Sequence, residues 1–240
     1  GAWWYAAEIS ALSVNDNCVD FFINPGVNST PASVLTNPVS DYFQIKNTSL
    51  TVNDTSGFQK FKIDRDWRNQ TNQFSIIGNI MDTTSTDPIY RNIHNPSYFV
   101  GTLFKEALQR NGMAINQITR EKRPSNAKLI ARHESKSIIH SLQNLMVESD
   151  NLTAELIVKT IGFESTKTQG NWDNGLLAIK TFLNDEVGID TTQLALKDGS
   201  GVSRYNYSSA NHFIQLLSWA YQSPSVRGKF INTLPIGGLN

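Results

Sequence analysis

The residues best suited to chemistry in this sequence are Ser149, Asp150 and Asn151, which follow one another directly. They stand between two segments whose apolar residues recur at helical spacing. Short polar side chains compete for backbone hydrogen bonds and therefore favour the point where one helix ends and the next begins. The sequence thus predicts a hydroxyl and a carboxamide side by side on a rigid helix–helix support. Taken alone, the same triplet is also typical of an ordinary helix cap.

A second polar run, Asp198-Gly199-Ser200-Gly201, contains a serine between two glycines. A phosphate-binding loop of this kind requires backbone amides at a helix start and usually a lysine. The run instead follows residues 194–196, whose apolar side chains predict a short strand. We therefore interpret it as a tight turn after that strand, with the glycines at positive φ. The sequence indicates no chemical role for Ser200 or Arg204.

Composition and charge argue against several classes of function. The 240 residues include 21 lysines and arginines and 21 aspartates and glutamates, so the formal net charge is +0. Without a basic run, attraction to nucleic acid or to an anionic membrane has no evident source. No stretch approaches the ~20 apolar residues that span a bilayer. A disulfide and a metal site are not expected, because the chain has one cysteine and no histidines at ligand spacing (Cys18, His94, His133, His140 and His212).

Residues 1–92 show the two-residue periodicity of strands, interrupted by turn residues. We predict one hairpin in which residues 12–14 and 19–23 flank the turn Asn15-Asp16-Asn17. A second hairpin is predicted from residues 50–52 and 61–63, and a further strand from residues 74–77. Because no helical pattern of useful length occurs here, this region is predicted to be an all-β module.

From residue 93 onward the apolar residues recur at helical spacing, with one strand predicted at residues 129–133. The expected helices begin after Asn95, near Ile138, after Asn151, near Trp172, after Ser208 and after Pro224. The Ser149–Asn151 triplet then lies between the second and third of them. The predicted fold class is α+β.

Several separated motifs occur in an order that resembles one family. They are Trp4-Tyr5, Ser10–Asn15, Ser149-Asp150-Asn151, Lys197–Arg204 and Leu234–Gly238. The set resembles the penicillin-binding D-alanyl-D-alanine carboxypeptidases and endopeptidases, serine peptidases of low molecular mass with a large insert in their transpeptidase-like domain. The resemblance spans nearly the whole chain. It implies that residues 1–92 are the inserted β-rich accessory module and that residues 93–240 are the central, mainly helical part of the transpeptidase/β-lactamase-like domain.

The resemblance implies a reaction on the peptidoglycan stem peptides of a bacterial cell envelope, in the periplasm or outside the cell. A serine attacks the D-Ala-D-Ala bond, D-alanine leaves, and water hydrolyses the acyl-enzyme; β-lactams acylate the same serine. The resemblance implies no metal and no organic cofactor. Such enzymes use Ser-X-X-Lys, Ser-X-Asn and Lys-Thr-Gly motifs. On this pattern Ser149 relays a proton to the leaving amine, and Asn151 binds the substrate backbone and orients the lysine. Asp150, at the variable position, is expected to be a helix cap.

The other two motifs of the family are not recognised in this sequence. Ser125-Asn126-Ala127-Lys128 matches Ser-X-X-Lys, but it follows Pro124 and runs into a predicted strand, so its two side chains would not share a helix face. Lys159–Gly162 and Lys167–Gly170 each carry an extra residue before the glycine. We therefore expect a fragment whose nucleophile and Lys-Thr-Gly strand are missing, and we expect that it forms no acyl-enzyme by itself.

Two other classes of function stay open. A non-catalytic module that binds peptidoglycan or a partner protein would fit the aromatic opening Trp3-Trp4-Tyr5 and the missing nucleophile. A secreted eukaryotic glycoprotein would fit the six Asn-X-Ser/Thr sequons, at Asn28, Asn47, Asn53, Asn69, Asn151 and Asn206. A glycan on Asn151 would exclude a catalytic role for that residue.

Overall fold

The computed structural model describes residues 1–238, and the chain divides into two compact units, residues 1–124 and the part from Ser125 onward. The first unit holds the described strands and one helix: β1 (Cys18–Asn24), β2 (Ser33–Asn37), β3 (Gln44–Asn47), β4 (Leu50–Val52), β5 (Lys62–Arg65), β6 (Gln73–Ile77), β7 (Asn79–Met81), β8 (Ile89–Asn92) and α1 (Pro96–Arg110). The second unit holds α2 (Ile138–Glu148), α3 (Asn151–Thr166), α4 (Trp172–Asp185), α5 (Ala210–Gln222) and α6 (Pro224–Ile231). The predicted α+β class is confirmed. None of the described helices is both long and apolar enough to cross a membrane.

The strands of the first unit form three small sheets. One has the order β2-β1-β8 and is antiparallel throughout. Another has the order β3-β6-β5, in which β6 runs parallel to β3 and antiparallel to β5. In the third, β4 and β7 pair in parallel. Most of these pairings join strands that are distant in the sequence.

The core of the first unit is built from alternate residues of these strands. Side chains of a strand point to opposite faces in turn, so every second residue of β1 is available to one core. Phe21 is fully buried, whereas its neighbour Phe22 is half-exposed. The ring of Phe21 packs against that of Phe74 on β6, with a centroid separation of 5.0 Å. The core therefore joins strands from separate sheets.

Helix α1 belongs to the first unit because its buried face packs on the β structure. Phe99 is fully buried in the same hydrophobic cluster as Phe74. The rings of Tyr42 and Phe99 lie 5.4 Å apart, and the Tyr42 hydroxyl lies 2.9 Å from the carbonyl oxygens of His94 and Asn95. The two compact units divide after Pro124. That residues 1–92 are an inserted module and that the transpeptidase-like part begins at residue 93 stay predictions.

The first predicted hairpin is wrong. Asn15, Asp16 and Asn17 have φ near +50° and form a left-handed turn, a conformation that Asn and Asp adopt more readily than other non-glycine residues. The buried amide of Asn17 donates to the carbonyl of Glu8 and to the hydroxyl of Ser13. The turn therefore anchors the segment that precedes it, while β1 pairs with β2 and β8.

The second predicted hairpin is also wrong, because its two strands lie in different sheets. Strand β4 pairs with β7, and β5 pairs with β6. The strand predicted at residues 129–133 is absent: Leu129 is 79% exposed and Ile130 is 97% exposed. No described strand lies beside this segment to take its backbone hydrogen bonds, and a lone strand is not stable in water.

The helices of the second unit lie close to where the sequence predicts them. A Cβ at Gly175 of α4 would be 2.2 Å from the carbonyl oxygen of Val158 on α3, so the two helices approach to a distance that only glycine permits. Lys159 of α3 also places its ammonium 3.6 Å from the centre of the Trp172 ring. Helix α3 is therefore held firmly along one side by α4.

Candidate functional site

The candidate site begins at the turn between α2 and α3. Helix α2 ends at Glu148, and Ser149 closes it in the left-handed conformation with φ 56° and ψ 48°. The N–H groups of Ser149 and Asp150 both donate to the carbonyl oxygen of Leu145. These bonds satisfy the carbonyl group of Leu145 at the end of α2.

Asp150 is the N-cap of α3, as predicted. Its Oδ1 accepts a hydrogen bond of 2.9 Å from the N–H of Leu152, and its Oδ2 accepts one of 3.3 Å from the N–H of Thr153. These are two of the N–H groups that have no partner inside the helix. The carboxylate also interacts favourably with the positive end of the helix dipole.

We expect Asp150→Ala to lower the free energy of unfolding by about 1 kcal/mol, the usual cost of losing an N-cap. Asp150→Ser keeps an acceptor at this position and is expected to stay within a few tenths of a kcal/mol of the parent. Urea unfolding followed by far-UV circular dichroism measures both. Equal stability of Asp150→Ala and Asp150→Ser would contradict the capping role.

The structure places the two predicted site residues on either side of this cap. Ser149 is exposed, and Asn151 is half-buried at the first position of α3. A hydroxyl and a carboxamide therefore stand two residues apart at the start of a helix that α4 supports. Their catalytic roles stay a prediction.

One helical turn beyond Asn151, the buried carboxylate of Glu155 accepts hydrogen bonds from four donors. Its Oε2 accepts from the indole N–H of Trp172 at 2.7 Å and from the N–H of Gly199 at 3.0 Å. Its Oε1 accepts from the N–H and the hydroxyl of Ser200, at 3.0 Å and 2.6 Å. The carboxylate thus connects α3, α4 and a loop more than forty residues further along the chain.

That loop, residues 197–206, is called the site loop below. A Cβ at Gly199 would lie 2.7 Å from the carbonyl oxygen of Ala154 on α3, so the loop rests directly on the helix. The side chain of Asp198 stabilises the loop internally. Its Oδ1 accepts hydrogen bonds from the N–H of Gly201 at 2.9 Å and from the amide of Asn206 at 2.7 Å. The predicted tight turn is present.

Two details of the sequence-based interpretation of this region need correction. Only one of the two glycines, Gly201, has positive φ. The predicted strand at residues 194–196 is reduced to a single antiparallel bridge between Ala195 and Tyr207, with hydrogen bonds of 2.9 Å and 2.8 Å. Hydrogen bonds between residues of the site loop hold its backbone, so a longer stretch of strand pairing is not needed.

Glu155 was not among the residues predicted from the sequence. The signal that could have found it is its spacing: Leu152, Glu155 and Val158 are buried at intervals of three along α3. A carboxylate on the apolar face of a helix must find hydrogen-bond donors, since burying an unpaired charge is costly.

Two other arrangements that could carry chemistry are not formed in the described residues. Ser125 and Lys128 lie in an exposed, non-helical segment, so this Ser-X-X-Lys sequence does not present its two side chains on one helix face. Within residues 1–238, no group of three or more His, Cys, Asp or Glu side chains is arranged to hold a metal ion.

Comparison with known proteins identifies the family. The model of the D-Ala-D-Ala carboxypeptidase 3 (S13) family matches residues 2–240. The chain belongs to this family. The predicted resemblance to the penicillin-binding D-alanyl-D-alanine carboxypeptidases is thereby confirmed.

Two curated relatives are named D-alanyl-D-alanine carboxypeptidases. The D-alanyl-D-alanine carboxypeptidase of Actinomadura sp. (strain R39) is 30% identical over 253 residues, which cover 98% of this chain and 46% of the relative. The D-alanyl-D-alanine carboxypeptidase DacB of Haemophilus influenzae is 22% identical, over 96% of this chain and 48% of the relative. The chain thus spans about half the length of these S13 proteins.

Solved structures show the same fold. Penicillin-binding protein 4 (dacB) of Haemophilus influenzae superposes with a TM-score of 0.76 at 20% sequence identity, covering all of this chain and 52% of the other. A second structure of that protein, in complex with a β-lactam, gives a TM-score of 0.72 at 19% identity and covers 98% of this chain and 54% of the other. The two compact units of this S13 chain therefore have the fold of the corresponding part of penicillin-binding protein 4.

Proposed function

We propose that this chain is part of a serine-type D-Ala-D-Ala peptidase and that Ser149 and Asn151 line its catalytic groove. The observation that carries the proposal is the turn between α2 and α3. This member of the S13 family has Ser-Asp-Asn at that turn, and the carboxylate of the middle residue, Asp150, caps α3. The hydroxyl of Ser149 and the carboxamide of Asn151 stand on either side of that cap. Ser-X-Asn is one of the three motifs that penicilloyl-serine enzymes use.

In the proposed reaction a nucleophilic serine attacks the carbonyl carbon of the penultimate D-alanine of a stem peptide. The C–N bond breaks, terminal D-alanine leaves with a proton on its amine, and a serine ester remains. Ser149 passes the proton toward that amine, while Asn151 hydrogen-bonds the substrate backbone and orients the lysine that activates the nucleophile. Water then hydrolyses the ester and releases the shortened peptide. Endopeptidase action would form the same serine ester, but the amine that leaves would belong to a cross-linked peptide and not to terminal D-alanine.

We propose that the nucleophile and its lysine come from outside residues 1–240. Ser125 and Lys128 are the only serine and lysine at the Ser-X-X-Lys spacing, and they lie in an exposed, non-helical segment. Proton transfer from a serine to a lysine requires the two side chains within hydrogen-bond reach, which a shared helix face provides. The proposed substrates are peptidoglycan stem peptides, β-lactams are the proposed inhibitors, and the proposed location is the bacterial cell envelope, periplasmic or extracellular.

A fluorescent penicillin tests this proposal. We expect the full-length gene product to carry a label that survives denaturation, and we expect the 240-residue chain to carry none, because the label requires the serine ester. Ser125→Ala in the full-length product is the control and is expected to be labelled normally. Label on the 240-residue chain that disappears with Ser125→Ala would make Ser125 the nucleophile.

A non-catalytic binding module is the second candidate function, and the exposed aromatic residues at the start of the chain favour it. Trp3, Trp4 and Tyr5 are each about half exposed, and the rings of Trp3 and Tyr5 stack with centroids 6.2 Å apart. Sedimentation of the 240-residue chain with insoluble peptidoglycan, together with a full-length product that takes no penicillin label, would favour this candidate over the peptidase.

A further inference from the structure

We propose that Glu155 is a positioning residue for this site: its buried carboxylate fixes the site loop on α3 beside Asn151. The inference rests on the proposed function, and it assigns Glu155 no contact with substrate. Glu155 acts through the position of the loop, which it holds by three of its four hydrogen bonds.

Hydrogen bonds compensate the buried charge of Glu155. The residue is only 7% exposed, and within residues 1–238 no lysine, arginine or histidine forms an ion pair with it. A buried carboxylate is tolerated only when hydrogen bonds replace its water shell. The required donors come from Gly199, Ser200 and Trp172. The carboxylate and the site loop therefore depend on each other for their positions.

Glu155 lies one helical turn from the predicted catalytic amide of Asn151 on α3. Residues four apart on a helix lie on the same face, so Glu155 and Asn151 are neighbours along α3. The loop touches that face directly, since a Cβ at Gly199 would be 2.6 Å from Cγ2 of Val158 and 2.7 Å from the carbonyl oxygen of Ala154. A shift of the site loop consequently changes the surface next to Asn151.

Hydrogen bonds within the site loop link its two ends. Asp198 binds the N–H groups of Gly201 and Ser203 and the amide of Asn206, and the amide oxygen of Asn206 accepts from the N–H of Lys197 at 2.7 Å. These bonds fix the shape of the loop but do not attach it to α3. The attachment is made by the carboxylate of Glu155, so its loss moves the loop as one piece.

The test uses the full-length gene product and measures kcat/KM for release of D-alanine at a temperature where circular dichroism shows every variant fully folded. Glu155→Gln places an NH2 group among N–H donors, and we expect kcat/KM to fall at least about tenfold, because misplacement by about 1 Å can cost a hundredfold. Glu155→Asp keeps a carboxylate and is expected to recover most of the loss. Glu164→Gln is the matched control, since Glu164 lies on α3 but is exposed and pairs with Lys167.

A second measurement uses the 240-residue chain and needs no activity. We expect deuterium uptake of residues 197–206 to accelerate in Glu155→Gln and to match the parent in Glu164→Gln. If Glu155→Gln does not fold, Trp172→Phe takes its place, because it removes one of the four hydrogen bonds to Glu155. It is expected to lower kcat/KM of the full-length product about threefold, since losing one hydrogen bond disturbs the carboxylate less than replacing it.

The possible results are distinguishable. Three results would each overturn the positioning role while leaving the peptidase proposal intact. The first is a folded Glu155→Gln variant with kcat/KM within threefold of the parent. The others are a Glu155→Asp variant with kcat/KM no higher than that of Glu155→Gln, and unchanged deuterium exchange of the site loop. If Glu155→Gln does not fold, unchanged kcat/KM in a folded Trp172→Phe variant has the same consequence. A parent protein that neither releases D-alanine nor takes a penicillin label would overturn the proposed function, and the positioning role with it.

Discussion

Phe21→Ala is expected to destabilise the first unit by about 3–5 kcal/mol, which is the usual cost of truncating a buried phenylalanine. The residue is fully buried on β1, and its ring contacts that of Phe74 on another sheet. The loss combines the transfer energy of the ring with a cavity that the surrounding strands fill only in part. Because a whole domain is stable by only about 5–15 kcal/mol, this substitution removes a large share of the total.

The adjacent residue provides the control for this prediction. Phe22 is 40% exposed and points to the opposite face of β1, opposite Leu35 on β2. Phe22→Ala is therefore expected to cost about 1 kcal/mol or less, the range of a cross-strand pair. Urea unfolding of both variants, followed by the fluorescence of the first unit's tryptophans, measures the difference. Equal costs would show that β1 does not divide its side chains between a core and a surface.

Asn151→Ala in the full-length gene product is expected to lower kcat/KM for D-alanine release about a hundredfold. In the proposed mechanism its amide bonds the substrate backbone and the lysine, and two such hydrogen bonds together contribute about 3 kcal/mol. Stability should change little by comparison, because the cap of α3 is provided by Asp150. Thermal unfolding of the variant, measured beside the kinetics, separates the two effects.

Asn184→Ala serves as the control for the Asn151 prediction. Asn184 lies on α4, is exposed, and donates to its neighbour Asp185. Its replacement removes the same chemical group and is expected to leave kcat/KM unchanged. If Asn151→Ala retains more than a third of the parent kcat/KM, Asn151 does not line the catalytic groove.

Local signals in the sequence determined the helices and the turn that carries the site. Pro96 at the start of α1, Gly112 just beyond its end, and Asp150 at the cap of α3 each act on backbone groups within four residues. Such signals are read from short stretches of chain, so they predicted these boundaries closely. The cap of α5 is Ser209 and not Ser208, an error of one residue within the same local pattern.

The strand pairings could not be predicted in this way, because the partners are distant in the sequence. Residues 15–17 and 53–57 carry the residue types of hairpin turns, yet β1 pairs with β8 about seventy residues later and β4 runs parallel to β7. Turn propensity specifies where the chain bends and leaves the partner strand undetermined. In residues 129–133 the alternating pattern of a strand is present, but no described strand lies beside it and the segment forms no strand.

The sequence by itself determined the family, the α+β class and the Ser149–Asn151 turn, since all three depend on motif order and on contacts between near neighbours. Only the tertiary structure decided where the first unit ends and that Glu155 binds the site loop. Both depend on which side chains are buried together: Phe99 with the β core, and Glu155 with Gly199 and Ser200. A buried carboxylate is stable only where donors from a distant part of the chain converge on it, and only the folded chain brings those donors to it.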